Sequence, residues 1–482
     1  MARMLLDAAT CYRALRARDA RFDGRFFVAV SSTGIYCRPV CTVKVPKREN
    51  CRFFPSAAAA EAAGFRPCLR CRPELAPGNS TIDATSRLAR AAASLIEDGS
   101  VNGAGIDALA ARLGITGRHL RRIFLAEFGV SPIAYAQTQR LLLAKRLLTD
   151  TALPITEIAH ASGFGSVRRF NALFRARYRL EPRALRRQAR PRAAADTLVF
   201  DLGFRPPYDW PAVLAFLGAR AIAGVEAIEG GVYRRTVRVS SGGREHVGWI
   251  AVGRVRDKPA LRITAAASLA GAVPAVLARV KALMDLACHP DEVARTLGAL
   301  AARRPGLRVP GAFDGFEIAV RAILGQQVSV AAARTLAGRF AAAFGCAIAT
   351  PFAELRVLFP DAERVAAATV EEIATIGMPT ARARSVLALA RAVADERLQL
   401  SPSADVEATL AALRALPGIG EWTAQYIAMR ALSWPDAFPA TDLGVMRALG
   451  TRSARRVLAA AEAWRPWRAY AVMHLWHSHN GG

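Results

Sequence analysis

Residues 416–432, LPGIGEWTAQYIAMRAL, read as the end of one helix, a tight Pro-Gly-x-Gly turn and a second helix. Pro417 closes the first helix, and Gly418 and Gly420 permit a bend with close backbone approach. Amides at the start of the second helix, free of side-chain bulk, can receive an anion such as a DNA phosphate. After the short loop SWPDAF, residues 439–449, PATDLGVMRAL, set Asp442 immediately before another amphipathic helix. On those residues alone Asp442 reads as a helix N-cap. A catalytic carboxylate is the other reading, and both roles can coexist.

The hairpin and its downstream aspartate resemble the helix-hairpin-helix plus Gly/Pro…Asp signature of base-excision DNA glycosylases. From about Asp201 to the C-terminus the chain is similar to the alkylbase (3-methyladenine, AlkA-type) branch. The resemblance implies that Asp442 is catalytic and that Trp422, Tyr426 and Trp476 line a base pocket. It also implies that Gly418, Gly420, Gln326 and Gln327 contact DNA. Gln327 matches the position that fills the gap left by the flipped base, where a relative can carry leucine. Hairpin carbonyls matching Arg414, Leu416 and Ile419 are expected to hold a monovalent cation. Buried core is the alternative for each aromatic, and ordinary helix packing for the two glutamines.

A 3-methylated adenine already carries positive charge, so it leaves with little acid assistance. A single carboxylate can stabilise the oxocarbenium-like state of glycosidic cleavage, and aromatic walls favour a cationic base. Strand-cutting relatives carry a lysine nucleophile where this chain has Trp422, which implies a monofunctional enzyme leaving an abasic site. No C-terminal cysteine quartet is present, so no iron–sulfur cluster is expected.

Composition agrees with a nucleic-acid partner. Lys and Arg number 66 against 39 Asp and Glu, a net charge of +27, and 482 residues are enough for several domains. No apolar run reaches the roughly 20 residues of a membrane span. With no secretory leader visible, a cytoplasmic protein associated with a bacterial nucleoid and with reduced cysteines is expected.

Four of the eight cysteines pair off as Cys37 and Cys41 in GIYCRPVC and Cys68 and Cys71 in GFRPCLRC. Two close pairs separated by a loop have zinc-site spacing, and a purely structural site is the commoner use. The surrounding strings FFVAVSSTGIYCRPVC, KREN and EAAGFRPCLRCRPE resemble the N-terminal domain of Ada-family alkylation-response proteins over residues 7–75. That resemblance implies Cys37 as acceptor of a methyl group from a DNA phosphotriester, with Cys41, Cys68 and Cys71 as fellow zinc ligands. Four thiolates on a divalent ion carry a charge of about −2, which keeps a sulfur nucleophilic. Cys11, Cys51, Cys288 and Cys346 lack partners at this spacing and read as small buried residues. A PCHRV string, which would signal a second acceptor, is absent.

After PELAPGNST, read as a linker, come two similar units, with Ile106, Ala110 and Gly114 of the first answering Ile155, Ala159 and Gly163 of the second. Each is an apolar helix, a glycine turn and an arginine-studded helix. In tandem, joined by AQTQRLLLAKRLL, they resemble the AraC-family DNA-binding domain over residues 82–188. The family's recognition helices match Gly117–Phe128 and Ser166–Tyr178. Arg118, His119, Arg121 and Arg122, then Ser166, Arg168, Arg169 and Asn171, are the expected groove and phosphate contacts. RQARPRAAAD reads as a second linker. Beyond it VYRRTVRVS, GWIAVGRV and ALRITA alternate as strands of a small antiparallel sheet with helices on one face.

The expected fold is multidomain and mainly α. Its units are a zinc-binding methyl-acceptor domain (1–78), a double helix-turn-helix (80–190), an α+β domain with an antiparallel sheet (196–303) and an all-α helix-hairpin-helix glycosylase domain (304–482). The expected function is repair of and response to DNA alkylation, on alkylated and promoter double-stranded DNA. RNA polymerase is the expected protein partner and the chain a monomer. A regulator whose glycosylase half only binds DNA is the alternative.

Overall fold

The computed structural model describes residues 7–77, 87–99, 105–188 and 196–479. Residues 78–81 of the first linker stretch and 189–195 of the second lie outside these residues.

The N-terminal unit is a four-stranded sheet in the order β3-β1-β2-β4, with β1 Phe27–Val30, β2 Ile35–Cys37, β3 Cys51–Phe54 and β4 Arg66–Pro67. Gly34, at φ +65°, supplies the left-handed residue of the turn between β1 and β2. Strands β2 and β4 are parallel, with Ile35 opposite Arg66 and Tyr36 opposite Pro67. Continuing that register sets Cys68 beside Cys37, and the Cys68 amide donates to the Tyr36 carbonyl at 3.0 Å. The two cysteine pairs are therefore brought together by strand pairing rather than by loop flexibility.

Both helix-turn-helix units form where the repeat predicts. The recognition helices are Gly117–Phe128 and Val167–Tyr178, capped by the hydroxyls of Thr116 and Ser166. Leu120, Phe124 and Phe128 are buried on the first, and Phe170, Phe174 and Tyr178 on the second, the i, i+4 spacing of an inward stripe. Between them runs the connecting helix Pro132–Asp150.

Two expectations change here. PELAPGNST does not begin as a free linker: Pro73–Leu75 forms a 3-10 turn, and both Glu74 carboxylate oxygens lie 2.7 Å from the Lys145 ammonium of the connecting helix. Nor does the second helix-turn-helix unit stand apart from the sheet that comes after it in the chain. Its core, with Phe170, Phe174 and Tyr178, is continuous with that of this sheet, whereas the first unit packs around its own cluster.

The sheet has five strands, all antiparallel, in the order β5-β9-β8-β7-β6: Thr197–Gly203, Ala260–Ala266, Arg244–Arg254, Val232–Ser241 and Glu226–Glu229. The three strands expected from alternation are its centre, and both edges are additional. Edge strand β5 carries Leu198, Phe200 and Leu202 inward, but it adjoins a basic linker that hides its pattern. Edge strand β6, Glu-Ala-Ile-Glu, is too short and too charged to read as a strand.

The remainder is helical. Val406–Arg414 and Glu421–Arg430 are the hairpin helices, Leu443–Ala448 follows Asp442, and Arg468–His479 is the last helix. Gly418 has φ +73°, and a Cβ there would lie 2.2 Å from the Ser385 hydroxyl, so both conformation and space require glycine. Gly420 has an ordinary φ of −86°, and a Cβ there would meet nothing within 4 Å. It leaves open the start of helix Glu421–Arg430, which has no side-chain cap. Among the described residues no helix is long and apolar enough to cross a membrane.

Candidate active site and metal centre

Asp442 caps the helix Leu443–Ala448, its Oδ1 accepting from the Val445 amide at 3.0 Å. The same carboxylate takes two further donors. Oδ1 accepts from the Trp476 indole N–H at 2.8 Å, and Oδ2 from the Trp422 indole N–H at 2.9 Å. An indole nitrogen can only donate, so both rings aim their hydrogens at the acid. A carboxylate has about four lone-pair sites, and the three N–H groups leave the fourth, on Oδ2, for a reacting group. Asp442 is 9 % exposed, at the edge of the interior rather than on the open surface.

The aromatic residues expected around a base converge on this acid. Trp422 and Tyr426 sit one turn apart on Glu421–Arg430, with rings 5.3 Å apart and 16° from parallel. Tyr426 and Trp476 are 6.4 Å apart. On its other side Trp476 stacks on Phe216, at 6.3 Å and 12°. Phe216 belongs to helix Trp210–Gly218 of the α+β unit, so the wall is assembled from two parts of the chain. Nothing in its sequence, a phenylalanine in an apolar helix, distinguishes it from core. Gly444 was also unmarked by sequence: a Cβ there would stand 2.9 Å from Trp476 Cδ1 and 3.2 Å from Asp442 Oδ1. Its missing side chain is what lets the indole reach the acid.

Beneath the aromatics lies a buried ionic floor. The Tyr426 hydroxyl accepts from Arg430 Nη1 at 2.8 Å, and Arg430 also donates to the Pro310 and Gly311 carbonyls. The guanidinium of Arg220 lies 3.9 Å from the Phe216 ring centre. Arg321 bridges Glu226 at 2.8 Å and Glu317 at 3.0 Å, and Arg235 joins Glu317 at 2.5 Å. Burial works to raise the Tyr426 phenol, but Arg430, Arg220 and Arg321 outweigh it and hold the group below its ordinary value. Arg321 and Arg235 are paired with Glu226 and Glu317. Arg430 is held by the Tyr426 hydroxyl and two carbonyls, and Arg220 by the Phe216 carbonyl, which together fix the ring positions above them.

Of the two glutamines expected to face DNA, Gln327 is exposed, at φ +56°. A non-glycine residue there is costly and holds the side chain at a loop tip. Gln326 is half-buried and bound to the hairpin. Its amide donates to the Gly418 carbonyl and the Thr423 hydroxyl, both at 2.9 Å, while its own backbone carbonyl accepts from Arg382 at 2.7 Å. It ties the Gln327 loop to the hairpin. In the hairpin the Leu416 carbonyl accepts from the Ile419 amide at 3.3 Å, and Arg414 pairs with Glu421 at 3.0 Å.

Far from this site, Cys37, Cys41, Cys68 and Cys71 bring their sulfurs within 4.8 Å of one another. Tetrahedral zinc with bonds of about 2.3 Å sets its sulfurs about 3.8 Å apart, so the cluster fits the ion. Four thiolates this close repel one another unless a cation lies among them. A divalent ion would remove that repulsion and hold all four as thiolates. The Arg38 amide donates to Cys71 Sγ at 3.3 Å, and the Arg38 guanidinium to the Cys71 carbonyl at 3.1 Å and to buried Asp23 at 2.8 Å. Such partners orient the ligands. Of the four remaining cysteines, Cys11, Cys51 and Cys288 are buried as expected. Cys346 is half-buried, with Arg364 at 3.8 Å from its sulfur.

On the recognition helices Arg118, Arg121, Arg122, Arg168 and Arg169 are exposed and His119 and Asn171 half-buried. Arg122 lies 3.3 Å from His119 Nδ1, and exposed Ser166 spends its acceptor on the Arg169 amide as a cap.

Four family models match in succession. They are the metal binding domain of Ada at residues 10–74, a helix-turn-helix domain at 109–188, the AlkA N-terminal domain at 199–314, and the HhH-GPD superfamily base excision DNA repair protein at 320–457. DNA-3-methyladenine glycosylase 2 of Escherichia coli is 38 % identical over 280 residues, 58 % of this chain and 97 % of that protein. The solved 3-methyladenine DNA-glycosylase of Archaeoglobus fulgidus shares the fold over 58 % of this chain and 98 % of its own, at a TM-score of 0.51 and 22 % identity. A Mycobacterium tuberculosis protein described as a probable bifunctional transcriptional activator/DNA repair enzyme AlkA is 41 % identical over 98 % of this chain and 96 % of its own length. With zinc-site cysteines, double helix-turn-helix and glycosylase fold in that order along almost its whole length, this chain belongs to the family of bifunctional transcriptional activator/DNA repair AlkA proteins.

Proposed function

We propose that the chain excises 3-methyladenine-type bases from alkylated DNA by hydrolysing the N-glycosidic bond, with Asp442 as the catalytic carboxylate. The convergence of the Trp422 and Trp476 N–H groups on Asp442 carries this reading. Three donors on one carboxylate suit electrostatic stabilisation better than nucleophilic attack, because they fix its position and occupy most of its lone pairs. As the C–N bond lengthens, positive charge grows on the sugar and the remaining Oδ2 lone pair faces it or the incoming water. The leaving base departs with the bonding electrons, neutralising its own charge. Trp422, Tyr426, Trp476 and Phe216 supply π-faces that favour an electron-poor base. With tryptophan at 422, no amine stands ready to form a Schiff base, so the product is an abasic site with an intact strand. Gln327 fills the place of the flipped base, and the open amides after Gly420 hold a backbone phosphate.

In the same reading Cys37 accepts a methyl group from a DNA methylphosphotriester. Its thiolate attacks the methyl carbon, an S–C bond forms, and the methyl C–O bond breaks. The negative charge passes from sulfur to the phosphate oxygen. Zinc held by Cys37, Cys41, Cys68 and Cys71 supplies the deprotonated state of that sulfur. Loss of one negative charge from the cluster reduces repulsion from DNA, and the exposed arginines of both recognition helices then engage promoter DNA, with RNA polymerase as the protein partner. The four units divide at residues 78–80, 190–196 and 303–304, and the chain acts as a cytoplasmic monomer.

Incubation with methylated duplex DNA, followed by chromatography of released bases and peptide mass analysis, tests both halves. Free 3-methyladenine and a single methyl on Cys37 are expected. Strand scission without alkali would overturn the monofunctional assignment.

A further inference from the structure

The zinc unit, the helix-turn-helix part, the α+β unit and the glycosylase domain meet around one cavity of about 590 Å³. That volume falls in the roughly 300–1,000 Å³ range of small-molecule sites, which favour interfaces between domains. Helix Val273–Leu283 of the α+β unit packs on helix Arg87–Glu97 beside it. Buried Phe27 of the zinc unit, Leu142 of the connecting helix, and Met429 and Leu432 of the glycosylase domain supply apolar walls.

Five charged side chains share the wall: Glu74, Arg90, Glu97, Lys281 and Asp285. Four of them are bonded within the protein. Glu74 takes the Lys145 ammonium, and Arg90 donates to Glu127 at 2.7 Å. Glu97 accepts from the Tyr135 hydroxyl, and Asp285 from the Tyr470 hydroxyl at 2.9 Å and the Val309 amide at 3.2 Å. Lys281 differs. Among the described residues its ammonium has no hydrogen bond and no ion pair. Burial, with Arg146 adding to it, lowers its pKa against the through-space pull of Glu97. Yet the side chain is half-buried rather than sealed, and the surface it keeps belongs to the cavity wall.

We propose that this cavity binds a small organic monoanion, whose acidic group pairs with Lys281 and whose apolar body lies against Phe27, Leu142, Met429 and Leu432.

An ammonium withdrawn from bulk water without a bonded counter-charge is costly, and an anion beside it offsets that cost. Glu74, Glu97 and Asp285 stand on the same wall and repel a second acidic group, which restricts the class to single acids such as carboxylates and sulfonates. A ligand in this place touches all four units at once. Its binding energy therefore also holds the regulator half against the glycosylase half.

The probe is anilinonaphthalene sulfonate, a fluorescent monoanion with an apolar aromatic body. It is titrated by fluorescence and calorimetry into the full chain saturated with duplex DNA, which covers the DNA-binding faces. Phenylnaphthylamine, the same body without the sulfonate, is the uncharged control. One equivalent of the sulfonate is expected to bind, and about tenfold or more weakly to Lys281→Met, which keeps the stem and removes the charge. Phenylnaphthylamine should bind the wild type and Lys281→Met alike. Ala278→Trp and Ala91→Phe fill the cavity from two different units and should abolish binding of both probes. Equal sulfonate affinity in the wild type and Lys281→Met overturns the pairing with Lys281, and this comparison holds even where a filled variant fails to fold. Binding that survives in both filled variants, or no saturable binding by the wild type, overturns the site. The readout is binding, so it is independent of base release and of methyl transfer.

Discussion

Trp476 and Asp442 are 34 residues apart in sequence, and the indole N–H of the first lies 2.8 Å from Oδ1 of the second. Trp422, on the hairpin helix, reaches the other oxygen at 2.9 Å. The acid is thus clamped between an indole of the hairpin and one of the last helix. A hydrogen bond to a charged group contributes about 1.5–3 kcal/mol. Trp476→Phe or Trp422→Phe keeps most of the π-surface and removes one donor. Each should lower single-turnover base release by about tenfold or more while changing DNA affinity little. Loss of affinity in parallel with release would show that the indoles serve stacking alone.

Gly444 tests the same clamp from behind. Alanine there would bring a Cβ within 2.9 Å of Trp476 Cδ1, and the indole must move. Because a misplacement of about 1 Å can cost about a hundredfold in rate, Gly444→Ala should approach the defect of the indole variants. Circular dichroism should stay close to wild type, since alanine favours a helix more than glycine does. Wild-type turnover would show that Trp476 need not touch the acid.

The two adjacent glutamines should separate cleanly. Gln326→Ala leaves the Gly418 carbonyl and Thr423 hydroxyl without their donor, a loss of about 0.5–1.5 kcal/mol per bond that melting should register. Gln327→Ala should leave melting unchanged and weaken binding to duplexes containing an abasic site. Equal effects of the two on melting would contradict this division.

Much of this was legible in the sequence, for definite reasons. Turn glycines, cysteine spacing and the tandem repeat are local patterns, and each formed where expected. Asp442 was legible because a hairpin precedes it, though as a cap or a catalyst it looks the same. Its two indole partners were found as aromatics, but their hydrogen bonds depend on packing between helices distant in sequence. Phe216 and Gly444 carry no local mark at all. Gln326 matched a DNA-facing stretch, and its bonds to the hairpin depend on packing between segments distant in sequence. Glu74 and Glu61 carry no local mark either, and only burial against Lys145 and against the hydroxyls of Tyr36, Thr138 and Tyr178 makes them structural.

Glu61 also predicts a pH dependence. Burial, the largest influence, raises its carboxyl from 4.5 to about 7, against the lowering effect of the Tyr36, Thr138 and Tyr178 hydroxyls and of Arg177. A carboxyl raised on folding binds a proton that the unfolded chain releases. Its stabilisation is therefore full below about pH 4.5 and is lost as pH rises through about 7. The whole span amounts to roughly 3 kcal/mol, of which the part above pH 6 is accessible. Urea unfolding of the full chain between pH 6 and 8 should show stability falling with pH, and Glu61→Gln should flatten that slope. An unchanged slope in the variant would assign it to other groups.

The most direct measurement is base release from methylated duplex DNA by the wild type beside Asp442→Asn. The carboxamide keeps the size and can still accept from the Val445 amide, but it lacks the charge that stabilises the cationic sugar. The prediction is 3-methyladenine release by the wild type and a fall of at least about a hundredfold in the variant, with duplex affinity retained. Comparable release by both proteins would contradict the assignment of Asp442 as the catalytic carboxylate.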